Sequence, residues 1–210
     1  MEAGLRVLRK ELSSLGRVLV TAETIKKNAL LTLDSGTEEL FRIFYYDAAP
    51  FEGRGQNPID GVVTDFSQTG TFRYGKRVLE ELGQMDQVAL RIGVLKPRGW
   101  TLTDGYVSQA IKNALSTPPK TPALLTPSDV EHSLEQKGVD MRIGIDVAAL
   151  AIKRHVDRIV LLSGDSDMIP AMKLARREGI QVCVVQVGDQ RIISDLIEDA
   201  DFLRKITPLP

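Results

Sequence analysis

Apolar positions along the chain follow two periods, and their alternation predicts the elements. Ile159-Val160-Leu161-Leu162 is an unbroken apolar run, as in a strand covered on both faces of a parallel sheet. It breaks at Ser163-Gly164, and a helical spacing follows at once. Ile169, Met172, Leu174 and Ala175 recur until Gly179 can end the helix, giving a span of about 167–178. A second buried strand, Ile180–Val187, comes next, then a short helix over 191–198 and an apolar segment, Phe202–Ile206. Upstream, Lys137-Gly138-Val139-Asp140 leads into a helix to about His155, with Ile143, Val147, Leu150 and Ala151 as its apolar stripe.

The amino-terminal part reads more loosely. Leu5, Leu8 and Leu12 share one helical face, and Thr21 and Thr24 are cap candidates for a helix to about Leu31. Leu40–Tyr46 reads as a strand closing on Asp47, and Val88–Leu95 as another, with a helix from Phe72 to about Gln84 between them. Residues 48–70 carry three glycines and two prolines before Gly70 and read as a long loop. The stretch 96–136 is the least regular; it has a helix near 104–115 and the proline cluster Thr117–Pro122, an exposed connection. From residue 40 onward strand and helix alternate, which predicts one α/β domain over 1–210 with a mainly parallel sheet and an irregular insertion at about 96–136.

Composition adds boundaries. The 210 residues can bury one well-cored domain, and 43% hydrophobic with 26% charged residues is ordinary for a globular protein. A net charge of −1 offers no global field for nucleic acid, so such a partner would need a local patch. Cys183 stands alone, which excludes an internal disulfide and suits a reducing compartment. No apolar run reaches bilayer length and no leader-like apolar core opens the chain; the expected location is the cytoplasm, with no membrane partner.

Chemistry concentrates where strand 159–162 ends. Asp165 and Asp167 follow it at the positive start of a helix, the place where open α/β sheets bind ligands. Two anions so close repel unless a cation or a proton joins them, and a divalent metal is the simplest relief. Either acid alone could be a helix cap. Asp140 opens its own helix near the strand ends and is the third candidate. Asp146, about 600° further round that helix, and Asp47, at a strand end, are secondary ones. His132 and His155 form no zinc-type grouping, and neither GxGxxG nor GxxxxGK[ST] occurs. A haloacid dehalogenase-type phosphatase needs an early DxD, and residues 1–100 contain none.

Taken together, Lys137–Asp140, Ser163-Gly164-Asp165-Ser166-Asp167-Met168-Ile169-Pro170, the Arg176–Gly179 turn and the strand Phe41–Asp47 resemble the NYN domain in its LabA-like branch. The resemblance implies a PIN-like three-layer sandwich, a mainly parallel sheet with helices on both faces. It also implies a metal-dependent ribonuclease whose Asp140, Asp165 and Asp167 hold Mg²⁺ or Mn²⁺ against a single-stranded RNA substrate. Arg54, Arg73, Lys96, Arg98, Lys112 and Lys120 are then the expected contacts to the RNA backbone. One feature departs from the family. Its opening strand ends in an acid of a DGxN or DGG motif, whereas here Glu2-Ala3-Gly4 stands at the matching place, with Val18–Thr21 as the other alignment. Glu2 is accordingly a further secondary ligand candidate. A truncated start, pairing with another copy, or an RNA-binding or protein-interaction module without chemistry are the alternatives this departure opens.

Overall fold

A computed structural model of the protein describes residues 20–189 and 191–209. The helix expected over 5–12, and Glu2, lie outside them. Two compact units divide the chain. One holds residues through Ala48, 77–93 and 138 onward; the other holds 49–76 and 94–137.

In the first unit, helix α1 (Ala22–Leu30) begins where Thr21 turns extended and its Oγ1 accepts the Thr24 N–H at 3.1 Å. Strand β1 (Ile43–Ala48) pairs in parallel with the first half of a later strand, Ile43 opposite Val88 and Ala48 opposite Gly93. Helix α4 (Val139–Ile152) and α5 (Ile169–Arg177) flank β6 (Arg158–Leu161), and β7 (Gln181–Val187), α6 (Ser194–Glu198) and β8 (Phe202–Ile206) complete the unit. The strands β6, β7 and β8 are mutually parallel, β7 in the middle. Its run from Val182 to Val185 is buried throughout, as an unbroken apolar strand should be. Ile143, Val147 and Ala151 of α4 and Met172 and Ala175 of α5 pack with Val182, Val184 and Leu196 as one core.

In the second unit the stretch that reads as loop holds a short hairpin, β2 (Arg54–Gln56) against β3 (Val63–Asp65). Helix α2 (Gly70–Gly83) starts in this unit. Strand β4 (Val88–Leu102) runs seven residues past the expected end at Leu95. Its second half pairs antiparallel with β5 (Val130–Lys137), with a register shift between Pro97 and Gly99 where proline cannot donate. Helix α3 (Asp104–Ala114) is capped by Thr103, whose side chain accepts the Tyr106 N–H. Phe51, Phe66 and Trp100 surround His132, with ring centroids 4.8–5.4 Å from it. The protein is therefore α/β, with parallel pairing in the first unit and antiparallel pairing in the second. No helix among the described residues is long and apolar enough to cross a membrane.

Candidate functional site

Beyond Leu161 the chain leaves β6 through Leu162, Ser163 and Gly164. The Ser163 Oγ accepts the Asp165 N–H at 3.2 Å. Asp165 is itself extended, and its Oδ1 accepts the Asp167 N–H at 3.0 Å, capping a 3-10 turn, Ser166–Met168, that feeds α5. Pro170 in the first turn of α5 suits a position whose N–H has no helical acceptor. Asp165 thus does the capping, and the turn it makes presents Asp167.

Asp140 arrives from the other side. Gly138 takes a left-handed φ of 79°, which turns the chain from β5 into α4 and sets Asp140 in that helix's first turn. Because α4 packs on α5 and on the 3-10 turn, Asp140 and Asp167 both line one cavity of about 250 Å³ with Gly144, Met168, Pro170, Ala171 and Leu174. Asp165 is not part of that lining. So the structure brings together two of the three expected acids, with the third standing two positions before Asp167 in the same turn. No group of three or more His, Cys, Asp and Glu side chains placed to hold a metal occurs among the described residues.

The secondary candidates lie elsewhere. Asp146 turns inward, accepting from the Tyr46 hydroxyl at 3.0 Å and from Arg91 Nε at 2.6 Å. Burial, and then the Asp146 carboxylate, push the Tyr46 phenol well above its ordinary range. Asp47 accepts from the Tyr45 hydroxyl and from the Ala48 N–H, and it lines a second, much larger cavity between β1 and β6. Sequence reasoning missed Glu38, which accepts from Arg204 at 2.6 and 2.7 Å and pairs with Arg158. No spacing rule links residues so far apart in the chain.

All six expected RNA contacts fall in the second unit. Arg54 is paired with Asp65 and Arg98 with Glu135, a carboxylate that Lys137 and then Arg98 hold below its usual range. Arg73, Lys96, Lys112 and Lys120 make no ion pair among the described residues.

Mg²⁺ is commonly held by one or two carboxylates with waters completing its shell. Two carboxylates on one small cavity are compatible with that demand; a cage made wholly of protein ligands is not what these residues build. The sequence profile of the NYN domain matches residues 71–206, and the chain belongs to that family, whose members are PIN-like nucleases. Nucleases of this kind generally use divalent metal ions. An uncharacterized protein, y4oD, of Sinorhizobium fredii is 37% identical over 57 residues, 27% of this chain and 27% of its own length. No solved structure matches the chain.

Proposed function

We propose that the protein is a metal-dependent ribonuclease of the PIN-like three-layer type, acting on single-stranded RNA with Mg²⁺ or Mn²⁺. The observation that carries this reading is the shared cavity of Asp140 and Asp167, one from the first turn of α4 and one from the turn that Asp165 caps. A divalent ion bound there would lower the pKa of a water and offset charge on the phosphodiester. Asp140 and Asp167 would hold the ion, with Asp165 fixing the backbone of Asp167 and standing close to it. The positive amino ends of α4 and α5 moderate the repulsion between the acids. Lys96, Lys112 and Lys120, with Arg54, Arg73 and Arg98, would contact phosphates without reading sequence. The working location in this reading is the cytoplasm.

Incubation of single-stranded RNA with the protein in Mg²⁺ or Mn²⁺ tests it. Cleavage should need the metal and fall at least about a hundredfold in Asp140→Asn, Asp165→Asn or Asp167→Asn, an effect of the size expected when transition-state charge loses its partner. Equal cleavage by the parent and the variants would end the reading. A module that binds RNA without cutting it is favoured by the limit of two carboxylates on the cavity. RNA binding that persists in the parent with no metal-dependent cleavage would select it.

A further inference from the structure

The cavity that Asp140 and Asp167 share is larger and less polar than a metal ion requires. Its volume is about 250 Å³. A hydrated Mg²⁺ held by two carboxylates brings up to about four waters, which at about 30 Å³ each take roughly half of that space. Apart from the two acids, the lining is Gly144, Met168, Pro170, Ala171 and Leu174, none of which has a polar side chain. Asp140 and Asp167 are exposed, whereas Met168 is buried and Gly144, Ala171 and Leu174 are half-buried. Charge therefore lies at the mouth and apolar surface at the floor.

Gly144 is the residue that makes the floor. It stands one turn after Asp140 in the interior of α4, where glycine destabilises a helix relative to alanine. Its φ is not left-handed, and apart from its own helix a Cβ added there would meet no described atom within 4 Å. Neither backbone conformation nor close packing asks for a glycine at this place. What the glycine does is leave the cavity wall without a side chain. Met141, 72% exposed, stands about 60° further round α4, so the apolar surface continues past the cavity on its outer side.

The parts of an RNA nucleotide differ in what they can offer such a floor. Phosphate is charged and ribose carries hydroxyls; the base alone has an apolar face. We propose that the floor of this cavity is a nucleobase subsite. The base next to the scissile phosphate lies against Gly144, Pro170, Ala171 and Leu174, with Asp140 and Asp167 on the phosphate side. Gly144 determines whether it fits, because a side chain there would take the place of the base. With no polar side chain besides the acids, the subsite selects for the presence and size of a base, not for the hydrogen-bond pattern of its edge. Its part in cleavage rests on the ribonuclease reading; the binding of a base does not.

Protein labelled with ¹³C at its methionine methyls tests binding directly. In Mg²⁺, adenosine 5′-monophosphate should shift the Met168 methyl through the ring current of its base, and ribose 5-phosphate at the same concentration should not. Gly144→Ala should raise Tm by about 2 °C, because alanine is the better helix former, and yet weaken the nucleotide. Gly144→Leu should abolish the base-dependent shift, and both variants should bind Mn²⁺ as the parent does, since their acids are intact. In single-stranded RNA, an abasic residue placed at each position in turn should slow cleavage of one adjoining bond by at least about fivefold in the parent, and should make no difference in Gly144→Leu. The subsite is overturned if the two ligands shift Met168 alike, if neither does, or if Gly144→Leu keeps the base-dependent shift. An abasic residue that leaves every bond equally cut would overturn the placement of the base beside the scissile phosphate. RNA left uncut by a parent that still shows the base-dependent shift, lost in Gly144→Leu, would remove the ribonuclease reading and uphold the subsite.

Discussion

Tyr46 shows how far a single side chain can depart from what its neighbours in sequence suggest. Its hydroxyl donates to Asp146, which Arg91 also grips, so a phenol, a carboxylate and a guanidinium share one part-buried site. Reading Asp146 from its position on α4 turns it away from Asp140, which is geometrically sound, but nothing in the spacing reveals the partners waiting 100 and 55 residues upstream. The folded phenol holds its proton more tightly than an ordinary tyrosine, near 10. As pH rises past about 10, the unfolded chain loses a proton that the folded chain keeps, so stability falls with pH from there. Tyr46→Phe should flatten that decline in alkaline denaturation, while Asp146→Ala should cost about 2 kcal/mol at neutral pH by stranding Arg91 and the phenol. Urea unfolding of the two variants at pH 7 and pH 10.5 checks both expectations. Cys183 makes a simpler case. It is fully buried, and burial raises its thiol pKa, so a thiol reagent should label it only after denaturant unfolds the chain.

At the scale of elements, the core helices explain why the carboxyl-terminal half was legible. Of the stripe Ile143, Val147, Leu150 and Ala151 the structure buries all but Leu150, and of Ile169, Met172, Leu174 and Ala175 it buries Met172 and Ala175, the others being half-buried. Met172→Ala should therefore cost about 2–4 kcal/mol in chemical denaturation, since the packed α4, α5 and β7 cannot fully close the hole. Thr21→Ala should cost about 1 kcal/mol through loss of one cap. The second unit was less legible for a physical reason. Strand β5, Val130–Lys137, contains Glu131, His132, Ser133, Glu135 and Gln136 and keeps no clean alternation; pairing with β4 makes it a strand, together with charge pairs such as Glu135 with Arg98. The hairpin of β2 and β3 was hidden by its turn residues, because three-residue strands are too short to show a period. The Asp165–Asp167 turn was legible as a turn because strand end and helix start were both written into the local sequence. That Asp140 would share a cavity with Asp167 and not with Asp165 depends on how α4 packs on α5, which no local pattern records.

For the molecule as a whole, the acids and the basic residues fall in different compact units, and the net charge of −1 gives neither a long-range advantage. For the proposed ribonuclease, attraction of RNA would come from individual cations, and these are unequal. Arg54 and Arg98 already face Asp65 and Glu135, so a phosphate would have to compete with a carboxylate for them. Lys96, Lys112 and Lys120 face no such competition among the described residues. Replacing these three lysines with alanine should weaken single-stranded RNA binding more than replacing the two arginines. It should also flatten the dependence of log K on log salt by about 0.7 for each phosphate that is no longer neutralised. Filter binding across a salt series measures both quantities. The same variants should cleave bound RNA at the parent rate under single-turnover conditions, because they touch affinity and not the acids. Asp140→Asn should do the reverse, keeping the salt slope while losing the cleavage step. A lysine variant that failed to cleave at saturating RNA, with its acids intact, would mean that these lysines act in the cleavage step as well as in binding.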